Sequence, residues 1–378
     1  MRRAANDLID SAMTTQNSLA DGMSRVAGPH VASVIDLFCG AGGLAHGFRN
    51  EGYSISAGID LDPACRYAFE TNNQSTFIER DVEGLTGNEL AALFPEHGRR
   101  VLVGCAPCQP FSTYNQKGRG KAKYALVDKF SELISQCEPD VVSMENVPKL
   151  EDFDGGRLLN GFEDRLREKD YHVSRSIVPM IDYGLPQKRR RLVLLASKLG
   201  PIQLEEPLEG SRPRSVMDEI GELPHLEAGG TDPSDPLHRS SRLSNLNLRR
   251  IQASRPGGSW SDWDDELVAD CHRMESGKTY RSVYGRMAWD EPSPTITTQF
   301  FGFGNGRFGH PEQHRGISLR EGAMLQSFPR DYKFVPDDAK IHMKTVGRLI
   351  GNAVPVTLGR VIARSIRRHL AQHPISVD

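Results

Sequence analysis

A cysteine and a glutamate are the residues of this chain best suited to covalent chemistry. Cys108 lies in the run Gly104–Ser112, which has the sequence GCAPCQPFS, and Glu145 opens the run Glu145–Val147. A thiolate can add to an electron-poor carbon, and a carboxyl group can donate a proton or a hydrogen bond to a ring nitrogen. The two residues together indicate covalent chemistry on an aromatic ring.

The spacing Cys105-x-x-Cys108 also allows other interpretations. A zinc site needs four ligands, and the sequence has no second Cys-x-x-Cys pair, so we expect no metal site. A thioredoxin-like redox motif would open a helix after its second cysteine, whereas Gln109 and Pro110 follow here. Two buried core cysteines remain an alternative, but Pro107 and Pro110 favour a fixed, exposed loop at the carboxyl end of a strand. Active-site groups of α/β sheets lie at such ends.

A strand, a glycine-rich turn and a helix start near the beginning of the chain could hold a cofactor. Val34–Phe38 has the apolar run of a buried strand, Gly40–Gly43 the glycines of a tight turn, and Leu44 begins a helical pattern. In a doubly wound sheet such a turn lies under a nucleotide-like cofactor, and Asp60 would accept hydrogen bonds from ribose hydroxyls. The glycine turn could equally be only a structural connection.

Strands and helices alternate through the first half of the chain. Further strands are predicted at Ile55–Ile59, Val101–Val103, Val141–Met144 and Leu192–Ala196. Apolar residues recur at helical spacing between Leu126 and Ile134, and again between Leu358 and Leu370. This alternation predicts an α/β fold with a doubly wound, mostly parallel sheet covered on both faces. Cys108 and Glu145 should then emerge at the same edge of the sheet.

Changes of pattern along the chain predict its domain organisation. Residues 1–31 are polar and predict a flexible tail. Prolines and glycines interrupt every periodic run between residues 201 and 315, which indicates an inserted, loop-rich domain. Residues 32–200 and 316–378 would together form the catalytic and cofactor-binding domain.

Charge is balanced over the whole chain but concentrated locally. The 47 Lys and Arg residues face 49 Asp and Glu residues, for a net charge of -2. Any nucleic-acid binding must therefore rely on local positive charge. The segment Asn115–Lys123 alternates lysine or arginine with glycine and would suit a polyanion, although a solvated loop is an equal alternative. Lys188–Arg191 is a second basic cluster.

Composition excludes two classes of protein. Six cysteines in 378 residues are too sparse for a disulfide framework. No stretch reaches the roughly 18 apolar residues of a membrane span, and the first thirty residues lack the apolar core of a secretory signal. We therefore expect a cytoplasmic protein.

The motifs, taken in order, closely resemble those of the cytosine-5 DNA methyltransferases of bacterial restriction-modification type. The segments that carry the resemblance, between about residues 32 and 370, are Asp36–Gly43, Pro107–Gln109, Glu145–Val147, Gln187–Arg191, Ser318–Pro329 and Gly351–Pro355. Two departures are small. Cys105 and Ala106 stand where many relatives have Gly and Pro, and Asp60 replaces the commoner Glu.

The resemblance implies a Rossmann-like fold that uses S-adenosyl-L-methionine, with a target-recognition domain at 201–315. The catalytic residues it implies are Cys108, Glu145, Arg189 and Arg191. Cofactor contacts are implied for Phe38, Gly40, Gly42, Asp60, Leu61, Asp81, Pro107, Leu126, Asn352 and Val354. Nucleic-acid contacts are implied for Gln109, Ser112, Lys117, Arg119, Gln187 and Thr297.

The resemblance also implies a mechanism. Cys108 adds to carbon 6 of cytosine, Glu145 hydrogen-bonds or protonates ring nitrogen 3, and Arg189 or Arg191 holds the base. Carbon 5 then takes the methyl group, and the target base must leave the duplex. The implied partners are double-stranded DNA and a restriction endonuclease acting on the same site, and we expect a monomer.

Three alternatives remain open at this point. A tRNA substrate keeps the fold and the chemistry, but an insertion as long as 201–315 favours sequence-specific reading of duplex DNA. A non-catalytic regulatory or scaffold protein would have no need of intact Cys108, Gln109, Glu145 and Arg189. A nicotinamide-dependent oxidoreductase would be distinguished by the cofactor it binds.

Overall fold

In the described part of the chain, seven strands form one central sheet. A computed structural model describes residues 31–107, 120–207, 210 and 212–375, with the backbone alone for 120–124. The predicted tail therefore lies outside the described residues except for Val31. The strands of the sheet are β1 (Ser33–Leu37), β2 (Ser54–Asp60), β3 (Thr76–Glu79), β4 (Arg100–Gly104), β5 (Val141–Asn146), β6 (His172–Pro179) and β8 (Arg190–Ser197). A separate short pair consists of β7 (Gln187–Lys188) and β9 (Ser293–Pro294).

The strand order is β3-β2-β1-β4-β5-β8-β6. Strands β1 to β5 run parallel, and β8 runs antiparallel to both β5 and β6. The order reverses between β1 and β4, which is the switch point where ligands bind in doubly wound sheets. The predicted α/β fold with a mostly parallel sheet is confirmed.

Alternation of buried side chains explains why the sheet is covered on both faces. In a strand, successive side chains point to opposite faces. Ile35 and Leu37 belong to the main core cluster on one side, and Val34, which precedes Ile35 and points to the other face, is also fully buried. Phe130 and Phe162, from two helices of the outer layer, pack into the same cluster at 5.9 Å between ring centroids. The apolar runs that predicted these strands are therefore the core.

Helices occupy the connections between strands. Before residue 201 they are α1 (Gly43–Asn50), α2 (Arg66–Asn73), α3 (Gly87–Ala91), α4 (Gly120–Cys137) and α5 (Arg157–Arg167). The later ones are α6 (Val216–Ile220), α7 (Asn245–Ala253), α8 (Asp270–Arg273), α9 (Glu275–Lys278), α10 (Leu319–Leu325), α11 (Met343–Asn352) and α12 (Val356–Ala371). The helices at Leu126–Ile134 and Leu358–Leu370 were predicted. Among the described residues, no helix is long and apolar enough to cross a membrane.

The segment 201–315 contains more regular structure than its prolines suggested. Ser215 caps α6 in a capping box with Asp218, and the side chain of Ser244 accepts a hydrogen bond at the start of α7. Ile251 of α7 packs with Trp263, Leu267 and Phe303 in a small apolar cluster of its own. The expectation that every periodic run is interrupted here was wrong for α7. The domain boundaries at 201 and 315 stay a prediction.

A buried ion pair ties the end of this segment to α10. Arg315 donates to both carboxylate oxygens of Glu321, at 2.8 and 2.7 Å, and both side chains are almost fully buried. Glu321 also accepts from the backbone N–H of Ser318, whose hydroxyl caps the helix. Burial alone would raise the pKa of Glu321, but Arg315 overcomes this effect and lowers that pKa to about 2.

Candidate functional site

The carboxyl ends of β1, β2, β4 and β5 open into a cavity of about 410 Å³. Phe38 follows β1, Asp60 ends β2, Pro107 follows β4, and Glu145 lies near the end of β5; all four line the cavity. The parallel direction of these strands brings the four residues to one edge of the sheet. Residues distant in sequence complete the wall, including Arg189, Arg191, Asn352 and Val354.

Asp60 is fixed by the turn that follows β1. The backbone N–H of Gly40 donates to one carboxylate oxygen of Asp60 at 2.9 Å, and the N–H of Asp62 donates to the other at 2.9 Å. Gly40 has a left-handed φ of +51°, which glycine adopts without strain. Burial raises the pKa of Asp60, and the two N–H donors oppose this effect. The two hydrogen bonds thus hold the Asp60 carboxylate in place on the wall of the cavity.

Asp36 is a cavity residue that was absent from the predicted contacts. It lies on β1, its side chain is 1% exposed, and burial raises its pKa well above the ordinary value. Its Oδ2 atom has no hydrogen-bond partner among the described residues. The signal was available in the sequence, because an acid near the end of the first strand must lie at the same sheet edge as Asp60. The arrangement suits a ligand that carries a positive charge.

The segment around Val354 packs against the glycine turn at Gly40–Gly43. A Cβ atom on Gly43 would lie 2.3 Å from the carbonyl oxygen of Val354. Gly351 likewise abuts Thr297, since a Cβ there would lie 2.4 Å from the Thr297 carbonyl. These close approaches require glycine. They bring Asn352 and Val354 to the cavity that Phe38 and Gly40 line.

The register of the sheet places the partners of Glu145. Gly104 pairs with Met144 in the parallel β4–β5 ladder, so Cys105 lies beside Glu145, and the Cys105 thiol donates to Glu145 Oε2 at 2.7 Å. On the other side Glu145 pairs with Val193 of β8, which makes Arg191 a diagonal neighbour. Arg191 Nε lies 2.7 Å from Glu145 Oε1. Among the described residues no donor makes a directed hydrogen bond to Oε1.

Arg189 is a buried cation on the same wall. Its side chain donates to the carbonyl oxygens of Ile296 and Ala353, both at 3.3 Å. Burial, followed by the charge of Arg191, lowers the pKa of Arg189 to about 9, and Glu145 works against this shift. Its Nε atom has no partner among the described residues. The site therefore combines one buried carboxylate with two guanidinium groups.

Gln187, which was predicted to contact nucleic acid, has all its described partners inside the protein. Its side chain is fully buried. The amide nitrogen donates to the Gln326 side chain at 2.8 Å and to the Leu325 carbonyl at 3.0 Å, and the amide oxygen accepts from the Ile296 N–H at 3.0 Å. The amide is thus used inside the protein, and a contact of Gln187 with DNA stays a prediction. It joins β7 to α10 and to the segment that supports Arg189.

The remaining predicted residues fall into three groups. Gly42, Leu61, Asp81 and Leu126 are not on the described wall of the cavity: Leu61 is 64% exposed, and the Asp81 side chain accepts from the Glu83 N–H at the start of a short 3₁₀ helix. Thr297 is exposed beside Gly351. Residues that lie outside the described part of the chain are Cys108, Gln109, Ser112, Lys117 and Arg119.

Comparison with known proteins gives consistent results. The model of the C-5 cytosine-specific DNA methylase family matches residues 32–368. The Type II methylase M.HgiDII of Herpetosiphon aurantiacus is 54% identical over 90% of this chain and 96% of its own. The Type II methyltransferase M1.BsuMI of Bacillus subtilis is 30% identical over 88% of this chain and 79% of its own. A prophage-encoded E. coli protein assigned to the DNA modification methyltransferases has a similar fold, with a TM-score of 0.70, 21% identity, and coverage of 90% of this chain and 99% of that one.

Proposed function

Since this chain belongs to the C-5 cytosine-specific DNA methylase family and is a DNA cytosine-5-methyltransferase of restriction-modification type, we propose that it methylates cytosine in duplex DNA through a covalent Cys108 adduct. The methyl donor in this proposal is S-adenosyl-L-methionine, and the target cytosine leaves the helix to react. The observation that carries the proposal is the position of Glu145. Its carboxyl group lies in a cavity that Asp36 and Asp60 also line, and those two residues suit a nucleoside with a cationic chain.

The cavity fits S-adenosyl-L-methionine by the chemistry of its donors and acceptors. Asp60 presents a fixed carboxylate that would accept from ribose hydroxyls. Asp36 offers a buried oxygen without a partner among the described residues, and a cationic ligand group would satisfy it. The donor, when bound, supplies an electrophilic methyl group. Phe38, Gly40, Pro107, Asn352 and Val354 would complete its contacts.

Glu145, Arg189 and Arg191 would bind and activate the base. In this proposal the Glu145 carboxyl group takes up a proton from solvent when the site fills and gives it to ring nitrogen 3, or shares it there in a hydrogen bond, which makes carbon 6 electrophilic. Arg191 stabilises the carboxylate that remains, because its guanidinium is already 2.7 Å from Glu145 Oε1. Arg189, with an unpartnered Nε among the described groups, would donate to the oxygen of the base.

Cys108 would supply the nucleophile. It follows Pro107, which lines the cavity at the end of β4. The thiolate forms a bond to carbon 6, and carbon 5 becomes the nucleophilic end of an enamine that takes the methyl group. Loss of the carbon 5 proton to a solvent water then expels the thiolate, and the proton on nitrogen 3 returns to Glu145. Every bond formed to the ring, apart from the new methyl bond, is thereby broken.

Recognition of the sequence around the target would belong to residues 201–315, which we propose as the target-recognition domain. Lys117, Arg119 and Thr297 would contact the DNA, and Gln109 and Ser112 would contact the flipped nucleotide. A monomeric enzyme in the cytoplasm, working beside an endonuclease that cuts the same site, completes the proposal.

The test is incubation of purified protein with tritiated S-adenosyl-L-methionine and either mixed-sequence duplex DNA or total tRNA. Bisulfite sequencing then locates the labelled base. The proposal predicts label in duplex DNA at one recurring cytosine context. Label confined to tRNA would change the substrate, and no label in either would refute the proposed reaction.

A further inference from the structure

Cys105 is the one departure from the family's motif that touches the reacting carboxyl group. Its thiol donates to Glu145 Oε2 at 2.7 Å, and the residue is partly exposed on the cavity wall. Glycine, which many relatives carry at this position, has no side chain and could not make the contact. The thiol therefore adds a donor to the site that the motif alone does not require.

Sheet geometry leaves this thiol little freedom. The backbone N–H of Cys105 donates to the Leu37 carbonyl oxygen at 3.3 Å, which continues the β1–β4 ladder beyond Gly104. On its other side, Cys105 follows the Gly104–Met144 pair and so sits next to Glu145. Neighbouring side chains on one face of a sheet lie within contact distance. The contact thus follows from the register of three strands.

The two oxygens of Glu145 have different surroundings. Oε2 accepts the Cys105 thiol, whereas Oε1 receives no directed hydrogen bond from the described residues although Arg191 lies 2.7 Å away. The carboxyl group can rotate about its terminal bond, because terminal torsions of this kind are broad. A donor at Oε2 restricts that rotation and fixes the orientation of the carboxyl group.

We propose that Cys105 is a positioning residue whose thiol holds Glu145 Oε2 and so fixes the orientation in which the carboxyl group meets the ring of the target base. The inference rests on the proposed cytosine methylation. When Glu145 gives its proton to the ring, the thiol hydrogen bond also stabilises the carboxylate that forms, since hydrogen bonds to charged groups are stronger than those between neutral ones. The contact thereby contributes more in the transition state than before it.

Kinetics of three variants test the proposal. Cys105→Ala removes the donor, and we expect kcat for duplex methylation to fall by roughly 10- to 150-fold, the usual range for one hydrogen bond to a charged group. The KM for DNA and the Kd for S-adenosyl-L-methionine should change little. Cys105→Ser restores a donor within reach and should recover most of the lost kcat. Cys137→Ala, which removes a buried thiol from α4 in the core, is the matched control and should keep the wild-type kcat.

Infrared spectroscopy of the S–H stretch tests the contact without any turnover. The difference between wild type and Cys105→Ala isolates the band of this thiol. We expect a lowered, broadened band in wild type and its return to higher frequency in Glu145→Ala, where the acceptor is lost. A band that is the same in both proteins would overturn the proposed contact.

The two failures can be told apart. If wild type methylates DNA but Cys105→Ala has an unchanged kcat, the positioning role is wrong and the proposed function stands. The same holds if Cys105→Ala and Cys105→Ser lose the same share of kcat and also lose thermal stability. If wild type labels neither DNA nor tRNA, the proposed function is wrong and the role of Cys105 falls with it.

Discussion

Arg191 and Glu145 form an ion pair across the β5–β8 ladder, with Nε 2.7 Å from Oε1. The Arg191 side chain is 14% exposed and the Glu145 side chain is 2% exposed. Partial burial matters because a charge taken out of water needs a partner. The ladder register, with Glu145 opposite Val193, makes this partner a consequence of the fold.

Removal of Arg191 should impair catalysis more than binding. Arg191→Ala leaves the Glu145 carboxylate without its cation, and we expect kcat/KM for methylation to fall by roughly 30- to 150-fold, which corresponds to about 2–3 kcal/mol. Arg191→Lys keeps the charge and should recover part of the loss. The matched control is Arg190→Ala, an exposed neighbour. Equal activity of Arg191→Ala and wild type would show that the pair has no part in the reaction.

Asp60 should control affinity for the methyl donor. Asp60→Ala removes the acceptor that faces the cavity and also leaves the Gly40 and Asp62 N–H groups without their partner. We expect the Kd for S-adenosyl-L-methionine, measured by calorimetry, to rise by at least roughly tenfold, with DNA affinity little changed. Asp337→Asn, at an exposed surface ion pair, serves as the control. An unchanged Kd in Asp60→Ala would place the donor elsewhere.

The contact between Gly43 and Val354 should not tolerate a methyl group. In Gly43→Ala the new Cβ would lie 2.3 Å from the Val354 carbonyl oxygen, so one of the two backbones must move. We expect a loss of about 1–3 kcal/mol in the free energy of unfolding, together with weaker binding of the methyl donor. Gly84→Ala is the control, because a Cβ there meets no atom within 4 Å. Equal stability of the two variants would contradict the close approach.

The buried Arg315–Glu321 pair should give stability a defined pH dependence. The pKa of Glu321 is lowered to about 2, below its value in the unfolded chain of about 4.3. The stabilisation is therefore fully present above the unfolded value and is lost as the pH falls through the folded one. In Glu321→Gln the buried guanidinium loses its counterion, and unfolding at pH 7 should need about 3–5 kcal/mol less.

Urea unfolding of wild type and Glu321→Gln at a series of pH values measures this effect. The difference in the free energy of unfolding between the two proteins should be constant near neutral pH and should become smaller below roughly pH 4. If the difference in the free energy of unfolding stayed the same down to pH 2, the ion pair with Arg315 would not lower the pKa of the Glu321 carboxyl group in the folded protein.

The interior of the fold could be predicted from the sequence, and its edges could not. Strands β1, β4, β5 and β8 are continuous apolar runs because both of their faces are buried. Strands β3 and β6 lie at the two edges of the sheet and are partly exposed, so their sequences carry no such run. The prediction missed both for this reason.

The candidate site shows a similar limit. The position of Glu145 at the same edge as Asp60 follows from strand direction alone. Its contacts with Cys105 and Arg191 depend on the register of β4 and β8 against β5, which hydrophobic pattern does not specify. The burial of Gln187 was missed because a short polar motif does not tell which of its side chains point inward.

Cys108 is proposed to carry the transfer of a methyl group to carbon 5 of cytosine. Identification of the modified base tests this proposal. Duplex DNA incubated with S-adenosyl-L-methionine and either wild type or Cys108→Ala would be digested to nucleosides and analysed by mass spectrometry. We expect 5-methyldeoxycytidine from DNA treated with wild type. DNA treated with Cys108→Ala should contain no methylated nucleoside, although that variant binds the methyl donor normally. Methylation by Cys108→Ala at the wild-type level, or a methyl group on an exocyclic nitrogen, would contradict the proposal.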